Sequence, residues 1–251
     1  MKISIITVCY NSAATLKDTI LSVASQSYKN IEYIIIDGGS KDATLEIIDQ
    51  YKDTITTYIS EPDKGLYDAM NKGINLASGE VVGFINSDDL FCDEYALEKV
   101  MSEFIEKNFL DSVFSDVLYV SQNDVSKIVR HWVTGAKRPF KVGWHPAHPT
   151  LYIKKKVYDN FGGFNLDFKL AADFEIMLRF MEKYKISSFY LKIPLVKMRL
   201  GGKTNKSLKN IVNQNFECIR AFKKNELHVN KFIYPFLRLF PKLIQFNKKI
   251  F

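Results

Sequence analysis

Short apolar segments alternate with helix-length segments through residues 1–90, and this alternation constrains the fold more than any other feature. The apolar segments are residues 3–9, 31–37, 56–60 and 81–86. Each is bounded by turn residues and suits a strand buried on both faces of a sheet. The helix-length segments are residues 13–26, 43–51 and 66–76. Strands alternating with helices predict an α/β fold with a mostly parallel sheet and right-handed crossovers.

The pattern changes after residue 110. Residues 113–121 and 127–133 predict an antiparallel pair, and the loop 144–149 (WHPAHP) precedes a predicted strand at 150–153. A helix at 171–184 and a strand at 186–194 follow. Because no repeat or low-complexity linker separates the halves, we predict that the second packs directly on the first. We predict three parts of the chain, which are residues 1–110, 111–205 and 206–251.

Composition excludes several classes of protein. The chain has 251 residues, of which 47% are hydrophobic and 25% charged, so it is neither disordered nor collagen-like. Its three cysteines form no CxxC pair, which argues against a disulfide framework or a thiolate zinc site and favours a reducing compartment. No apolar run reaches the roughly 18–20 residues of a membrane span, and residues 1–11 suit a strand rather than a signal peptide. We expect a cytoplasmic protein, soluble or touching a membrane.

The positive charge is concentrated at the C-terminal end. Residues 219–251 carry eight basic side chains and one acidic side chain, so they account for the whole net charge of +7. Residues 231–246 interleave basic with bulky apolar side chains, a composition that suits the anionic surface of a membrane. Two alternatives remain: a C-terminal helix packed on the body with a solvated basic face, and single-stranded nucleic-acid binding.

Ligands of parallel α/β sheets bind at the carboxyl ends of the strands. In this chain, four polar segments end or follow the predicted strands: Tyr10-Asn11, Asp37-Gly38-Gly39-Ser40, Ser60-Glu61-Pro62-Asp63-Lys64-Gly65 and Asn86-Ser87-Asp88-Asp89. The dinucleotide fingerprint is absent from the turn after the first strand. Three of the four segments contain carboxylates, which would repel a phosphate ligand unless a divalent cation were also bound. A nucleic-acid-binding function would leave these carboxylates unexplained, since they would repel the phosphates of the nucleic acid.

Asp88 and Asp89 are the most informative pair. Adjacent carboxylates after a buried strand repel one another unless a cation compensates them. Hard oxygen ligands suit Mg²⁺ or Mn²⁺ held jointly with substrate phosphates. The alternative is a cap for the helix that begins near Glu94. Asp37 likewise suits either a turn and helix cap or a hydrogen bond to a base or ribose.

Taken together, these segments resemble the family 2 glycosyltransferases of the GT-A fold, a Rossmann-like sheet with helices on both faces. The resemblance rests on four segments: IITVCYN (5–11), IDGGS (36–40), EPDKGLYDAMNKG (61–73) and FINSDD (84–89). It continues more weakly through 162–164, 172–175 and 201–202, and so covers about residues 1–205. The greatest similarity is to bacterial transferases that build O-antigen, capsule or other exopolysaccharides.

The resemblance implies a role for each matching residue. Thr7 and Tyr10 would line the nucleobase pocket, and Asp37 would hydrogen-bond the base. Lys64, Asp68 and Asn71 would line the ribose and diphosphate region. Asn11, Asn86 and Asp88 would also bind the nucleotide sugar. Asp88 and Asp89 would hold Mn²⁺ or Mg²⁺. Asn86 stands where many relatives have Asp, and its amide brings no charge, so we do not expect it to be a metal ligand. Lys203, in a glycine-containing loop, would contact phosphate or belong to a plain turn.

The acceptor side contains three candidates. Asp173 matches the position of the family's catalytic base, which takes the proton of the attacking hydroxyl. Without the resemblance, Asp173 would be an ordinary acid in the first turn of a helix, favoured by the helix dipole. His145 and His148, in the proline-rich loop, are either structural or part of the acceptor site.

The resemblance therefore implies an inverting, metal-dependent glycosyltransferase. The donor would be a UDP-hexose, with glucose or galactose expected, although the family also uses GDP and dTDP sugars. The acceptor would be GlcNAc or GalNAc on diphospho-undecaprenol, at the inner face of the cell membrane during O-antigen or other surface polysaccharide assembly. The alternatives are a nucleic-acid-binding module that uses the basic tail and a catalytically inactive scaffold.

Overall fold

The computed structural model describes residues 1–201 and 208–239. Within this part of the chain the strands are β1 (Ile3–Cys9), β2 (Ile31–Asp37), β3 (Thr57–Ser60), β4 (Val81–Phe84), β5 (Leu90–Phe91), β6 (Ser112–Val120), β7 (Ile128–Trp132), β8 (Tyr152–Lys154) and β9 (Ser188–Arg199). The α-helices are α1 (Leu16–Ala24), α2 (Thr44–Gln50), α3 (Leu66–Leu76), α4 (Ala96–Glu106), α5 (Lys155–Phe161), α6 (Ala172–Leu178) and α7 (Leu208–Lys224).

One sheet contains all of these strands and joins the two halves of the body. Its order is β3-β2-β1-β4-β8-β6-β9-β5, with β7 paired to β6. The pairs among β1 to β4 are parallel, as predicted. β8 joins β4 to β6 through antiparallel pairing, and β6 and β7 form the predicted antiparallel pair. The mixed α/β architecture confirms the predicted fold class.

Alternation along the strands divides the core between two faces. Ile3, Ile5 and Cys9 of β1 pack in a cluster that includes residues of α1, α2 and α4. Ile6 and Val8 point the other way, into a cluster that includes residues of α3, α6 and α7. Successive side chains of a strand face opposite sides of a sheet, so both faces of β1 are covered by helices.

Three of the predicted elements differ in detail from the structure. β3 lies at the edge of the sheet and is largely exposed, because only β2 pairs with it. The predicted helix at 171–184 is divided into α6 and a π-helical turn at Arg179–Lys183. The strands predicted at 150–153 and 186–194 are shifted, to Tyr152–Lys154 and Ser188–Arg199.

The described part of the C-terminal segment packs on the body. Residues 234–239 are helical, and Tyr234 is fully buried with its ring 5.2 Å from that of Phe222. A Cβ at Gly143 would collide with the backbone of Leu237. The packed-helix alternative therefore describes this region, yet Phe232 and Phe236 remain 87% and 75% exposed. Among the described helices, none is long and apolar enough to cross a membrane.

Candidate active site

The loops that follow β1, β2, β3 and β4 form one continuous surface. Gly38 donates its backbone N–H to the carbonyl of Cys9 at 2.9 Å, and Glu61 donates to the carbonyl of Asp37 at 3.0 Å. The hydroxyl oxygens of Ser12 and Ser87 lie 3.0 Å apart. The four predicted segments therefore meet at the carboxyl edge of the parallel strands, where ligands bind in such sheets.

Tyr10, Gly38 and Asp63 line an open part of this surface. The Tyr10 side chain is 51% exposed. A Cβ at Gly38 would lie 2.5 Å from Asp63 Oδ2 and 3.5 Å from the Tyr10 ring, so a side chain at this position would displace the Asp63 carboxylate. An exposed ring beside a carboxylate suits a planar base with N–H donors. Asp63 lies in the segment after β3, and its proximity to Gly38 could not be predicted from the sequence because it is a tertiary feature.

Thr7 does not lie on this surface. Its side chain is fully buried, and its hydroxyl is 3.1 Å from the hydroxyl of Tyr33. The reason is strand alternation, which directs Thr7 toward the same helix-covered face as Ile5 and Cys9. The expectation that Thr7 lines a nucleobase pocket does not fit this position.

Asp37 is also buried, and its carboxylate is occupied by donors from this chain. Oδ2 accepts from the N–H groups of Gly39 and Ser40 at 3.1 and 3.0 Å and from Ser60 Oγ at 2.7 Å, and Oδ1 accepts from Ser40 Oγ. Burial alone would raise the pKa of Asp37, but these hydrogen bonds outweigh it and hold the pKa below its usual value. A carboxylate has about four acceptor positions, so Asp37 shapes the loop rather than facing a base.

Two asparagines expected to bind the nucleotide instead tie loops together. Asn11, with a φ of 50°, accepts from the N–H of Lys41 at 2.8 Å and donates its own N–H to Ser40 Oγ at 2.8 Å. Asn71 donates to the carbonyl of Phe164 at 2.9 Å and accepts from the Phe164 N–H at 2.7 Å. Asn71 therefore links α3 to a loop of the second half through both its donor and its acceptor atoms.

Lys64 and Asp68 lie at the start of α3, on the rim of the same surface. The backbone N–H of Lys64 donates to Asp68 Oδ2 at 3.0 Å, which caps the turn into the helix. Between them, Gly65 has a φ of 116°, a conformation that L side chains rarely adopt. The Lys64 side chain is exposed and the Asp68 side chain half-buried, so both are accessible to a ligand on this surface.

Asp88 and Asp89 follow β4, but their environments differ. Asp88 is half-buried, whereas Asp89 is only 1% exposed and accepts from Asn86 Nδ2 at 2.7 Å. Burial raises the pKa of both carboxyls, and for Asp89 the neighbouring charge of Asp88 raises it further. Arg199 opposes this effect: it is buried, donates Nη1 to the carbonyl of Asp88 at 3.0 Å and pairs with Asp18 at 2.6 Å.

The donor set fits one carboxylate ligand to a divalent cation. Magnesium-type ions are commonly held by one or two carboxylates together with substrate phosphates. Asp88 suits that role because it is accessible and its charge is poorly compensated. Asp89 is less accessible because it is buried against Asn86, and the expectation that it is a second ligand stays a prediction. Across residues 1–201 and 208–239, no three His, Cys, Asp or Glu side chains are grouped to hold a metal ion by themselves.

Asp173 lies in the first turn of α6 and meets a side chain from the first half. The hydroxyl of Tyr67 donates to Asp173 Oδ1 at 3.2 Å. Burial and the charge of Asp173 raise the pKa of Tyr67, so the phenol stays protonated and remains a donor. Tyr67 was not singled out from the sequence, although it lies within the quoted motif beside Asp68. This contact places the predicted base next to the strand-end surface.

An aromatic cluster surrounds this contact. The Tyr67 ring stacks on Phe164 with centroids 5.6 Å apart, and His148 lies 5.3 Å from Phe84 and 5.5 Å from Phe164. Burial lowers the pKa of His148, although the charge of Asp173 opposes this, so the imidazole is neutral near pH 7. His148 therefore lies close to the base.

His145 is placed differently from His148. Its Nδ1 donates to the carbonyl of Pro146 at 2.9 Å, and its ring contacts Trp132 and Phe174 edge-on. These contacts hold the proline-rich loop. The predicted phosphate contact Lys203 lies outside the described residues, as do Lys242, Lys248 and Lys249 of the basic tail.

Two solved structures share this fold at low sequence identity. Staphylococcus aureus TarS in complex with UDP matches with a TM-score of 0.65 and 19% identity, over 95% of this chain and 70% of that one. The mannosyltransferase PcManGT from Pyrobaculum calidifontis, in complex with GDP-Man and Mn²⁺, matches with a TM-score of 0.66 and 15% identity, over 96% and 69%.

Sequence comparison identifies the family. An uncharacterised glycosyltransferase of Mycobacterium tuberculosis is 32% identical over 70% of this chain and 68% of its own length. A PGL/p-HBAD biosynthesis glycosyltransferase of Mycobacterium bovis is 26% identical over 85% and 81%. The family profile described as Glycosyl transferase family 2 matches residues 4–170. With the strand-end surface and the Asp173 site already placed, the chain belongs to glycosyltransferase family 2.

Proposed function

We propose that this glycosyltransferase transfers one hexose, with inversion, from a nucleoside diphosphate sugar to a hydroxyl of a saccharide acceptor. The observation that carries the proposal is the contact between Tyr67 and Asp173. It places a carboxylate, oriented by a protonated phenol, beside the surface formed by the ends of β1 to β4. Transfer with inversion needs only one such carboxylate, because the acceptor hydroxyl attacks the anomeric carbon directly.

In the proposed reaction, Asp173 accepts the proton of the acceptor hydroxyl as the hydroxyl oxygen bonds to the anomeric carbon. The bond from that carbon to the diphosphate oxygen breaks, and its electron pair leaves with the nucleoside diphosphate. Attack opposite the leaving group inverts the configuration. Tyr67 holds Asp173 in orientation, and the neutral His148 adds no charge beside it. A divalent cation at Asp88 would offset the charge that grows on the diphosphate.

The donor site is proposed at Tyr10, Asp63 and the rim residues Lys64 and Asp68. Tyr10 offers a face on which a base can stack, and Asp63 an acceptor for its N–H groups. TarS and PcManGT, which share the fold, bind UDP and GDP-Man respectively. We propose a UDP-hexose, with glucose or galactose expected, because the resemblance of the strand-end motifs favours uracil. Asp37 supports this site through the loop it holds.

The acceptor is proposed to be a lipid-linked saccharide at a membrane surface, such as GlcNAc or GalNAc on diphospho-undecaprenol. Two observations support it: the relative assigned to PGL/p-HBAD biosynthesis, and the exposed rings of Phe232 and Phe236 close to Lys231. Apolar side chains beside basic ones suit an anionic lipid surface. The place in O-antigen or other surface polysaccharide assembly, and peripheral attachment to the inner face of the cell membrane, follow from the same proposal.

The test combines nucleotide binding with turnover. UDP, GDP and dTDP are titrated calorimetrically with Mn²⁺ and with EDTA, and nucleotide release is then measured from UDP-glucose, UDP-galactose and GDP-mannose. Asp173→Asn should retain nucleotide binding and lose turnover by 10²-fold or more, on the order expected of a general base. Asp167→Asn, a nearby exposed Asp paired with Lys224, is the matched control and should retain turnover.

Two results would count against the proposal. If none of the three nucleotides binds, the strand-end surface is not a donor site. If nucleotide binds but Asp173→Asn turns over at the parental rate, the base assignment is wrong. Binding of single-stranded RNA or DNA in place of nucleotides would favour the nucleic-acid alternative.

A further inference from the structure

The segment that leads into Asp173 is held by helix α7 through one carboxylate. Glu217 Oε1 accepts from the N–H of Lys169 at 3.0 Å. Its Oε2 accepts from the N–H groups of Leu170 and Ala171 at 2.8 and 2.9 Å. Three consecutive backbone donors thus converge on a single side chain, an arrangement that binds an anion. Asp173 follows two residues after the last of these donors.

Other side chains of α7 hold the same segment. Gln214 donates to the carbonyl of Leu170 at 3.2 Å, and Arg220 donates to the carbonyl of Asp167 at 2.6 Å. Glu217 lies three residues after Gln214 and three before Arg220, so these side chains project from one face of the helix. α7 lies beyond residues 4–170, to which the family profile extends, so this contact surface belongs to the remaining part of the chain.

We propose that Glu217 is a positioning residue for Asp173, a role that rests on the proposed transferase function. Ala171 precedes α6 and has no side chain that can cap it. Glu217 does not replace that cap, but it fixes the segment from which the first turn starts, because it accepts the N–H groups of residues 169–171. By holding the backbone of residues 169–171 it sets the direction of the first turn, and with it the distance from Asp173 to Tyr67 and to the acceptor hydroxyl.

The charge of Glu217 is essential to this role. A carboxylate offers acceptors on both oxygens, so all three N–H groups are satisfied together. Glutamine would keep the shape of the side chain but replace one carboxylate oxygen with an NH₂ group. That group donates hydrogen bonds, so it cannot accept from the backbone N–H groups that it would face. Glu217→Gln should therefore loosen the segment while leaving the hydrophobic contacts of α7 in place.

The experiment compares Glu217→Gln with Glu226→Gln in the full chain. Glu226 follows α7, is exposed and pairs loosely with Lys183 at 3.6 Å, so it is a matched control. Three quantities are measured: kcat and KM for hydrolysis of UDP-glucose, UDP-galactose and GDP-mannose, in which water replaces the acceptor; the Kd for UDP; and hydrogen–deuterium exchange at residues 169–171.

Glu217→Gln is expected to lower kcat by about 10- to 100-fold, because small displacements of a catalytic group carry such costs. The KM for the donor and the Kd for UDP should stay within about twofold of the parent, since the nucleotide surface is formed by other loops. Exchange at residues 169–171 should accelerate. The Glu226→Gln protein should match the parent in all three measurements.

The outcomes separate this proposal from the function on which it rests. An unchanged kcat in Glu217→Gln, with turnover in the parent, overturns the positioning role and leaves the transferase function standing. A loss of kcat matched by an equal loss of UDP affinity indicates general damage and also overturns it. Absence of turnover with all three donors in the parent rejects the transferase function, and the positioning role fails with it.

Discussion

Replacing Asn71 with alanine separates the role seen in the structure from the role implied by family resemblance. The side chain makes two hydrogen bonds, both to the backbone of Phe164, which hold its amide against the second half. Asn71→Ala should therefore weaken the link between α3 and the second half and leave nucleotide binding intact. A ribose contact would produce the opposite pair of results.

The size of the expected loss of stability follows from the N–H and the carbonyl of Phe164, both of which lose a hydrogen-bond partner. Leaving a buried donor or acceptor without a partner costs about 1–3 kcal/mol each. The adjoining Gly163 is half-buried, so water can partly replace the lost partners, and we expect a loss of about 2–4 kcal/mol in the free energy of unfolding. For a urea slope near 3 kcal/mol per M, the midpoint falls by about 1 M.

The assay is equilibrium urea unfolding together with calorimetric titration of UDP, which should bind within about twofold of the parental Kd. Asn30→Ala is the control: Asn30 is exposed, and its side chain donates one hydrogen bond, 3.2 Å long, to the carbonyl of Met1. It should change the free energy of unfolding by less than about 0.5 kcal/mol. A tenfold loss of UDP affinity in Asn71→Ala with unchanged unfolding would refute the reasoning.

Three further changes test other parts of the site. Tyr67→Phe removes a hydrogen bond to a half-exposed carboxylate and should lower kcat by about tenfold with the UDP Kd unchanged; steady-state kinetics would contradict this if kcat stayed at the parental value. Asp89→Asn tests the raised pKa of Asp89, caused by burial and by Asp88. Asp89 holds its proton more tightly in the folded protein than in the unfolded chain, so the parent loses stability as the pH rises above the ordinary carboxyl pKa. In urea unfolding without metal, the free energy of unfolding of Asp89→Asn relative to the parent should therefore increase from pH 4 to pH 7. A constant difference would show that Asp89 titrates normally. Tyr10→Ala removes the exposed ring and should weaken UDP binding by about tenfold or more, since base–aromatic stacking contributes about 1–3 kcal/mol; unchanged calorimetric affinity would place the base elsewhere.

Much of the fold could be predicted from local sequence. β1, β2 and α3 begin and end at the predicted residues because their apolar runs and helix-length segments are bounded by turn residues. The exposure of β3 could not be predicted, because position at the edge of a sheet depends on strand order. The same applies to β8, whose three residues join the two halves through antiparallel pairs.

The sequence also determined which segments form the site, since residues that follow parallel strands must meet at one edge of the sheet. Local pattern could not say which contacts each side chain makes there. Strand alternation directs Thr7 inward, and internal hydrogen bonds occupy Asp37 and Asn71.

Tertiary structure alone decided the surroundings of the proposed base. Tyr67 precedes Asp173 by more than 100 residues and Glu217 follows it by 44, yet both bond to Asp173 or to the segment beside it. Contacts between residues so far apart depend on how helices pack across the sheet. The repeating pattern of a single chain segment records which face is buried, not which partner covers it.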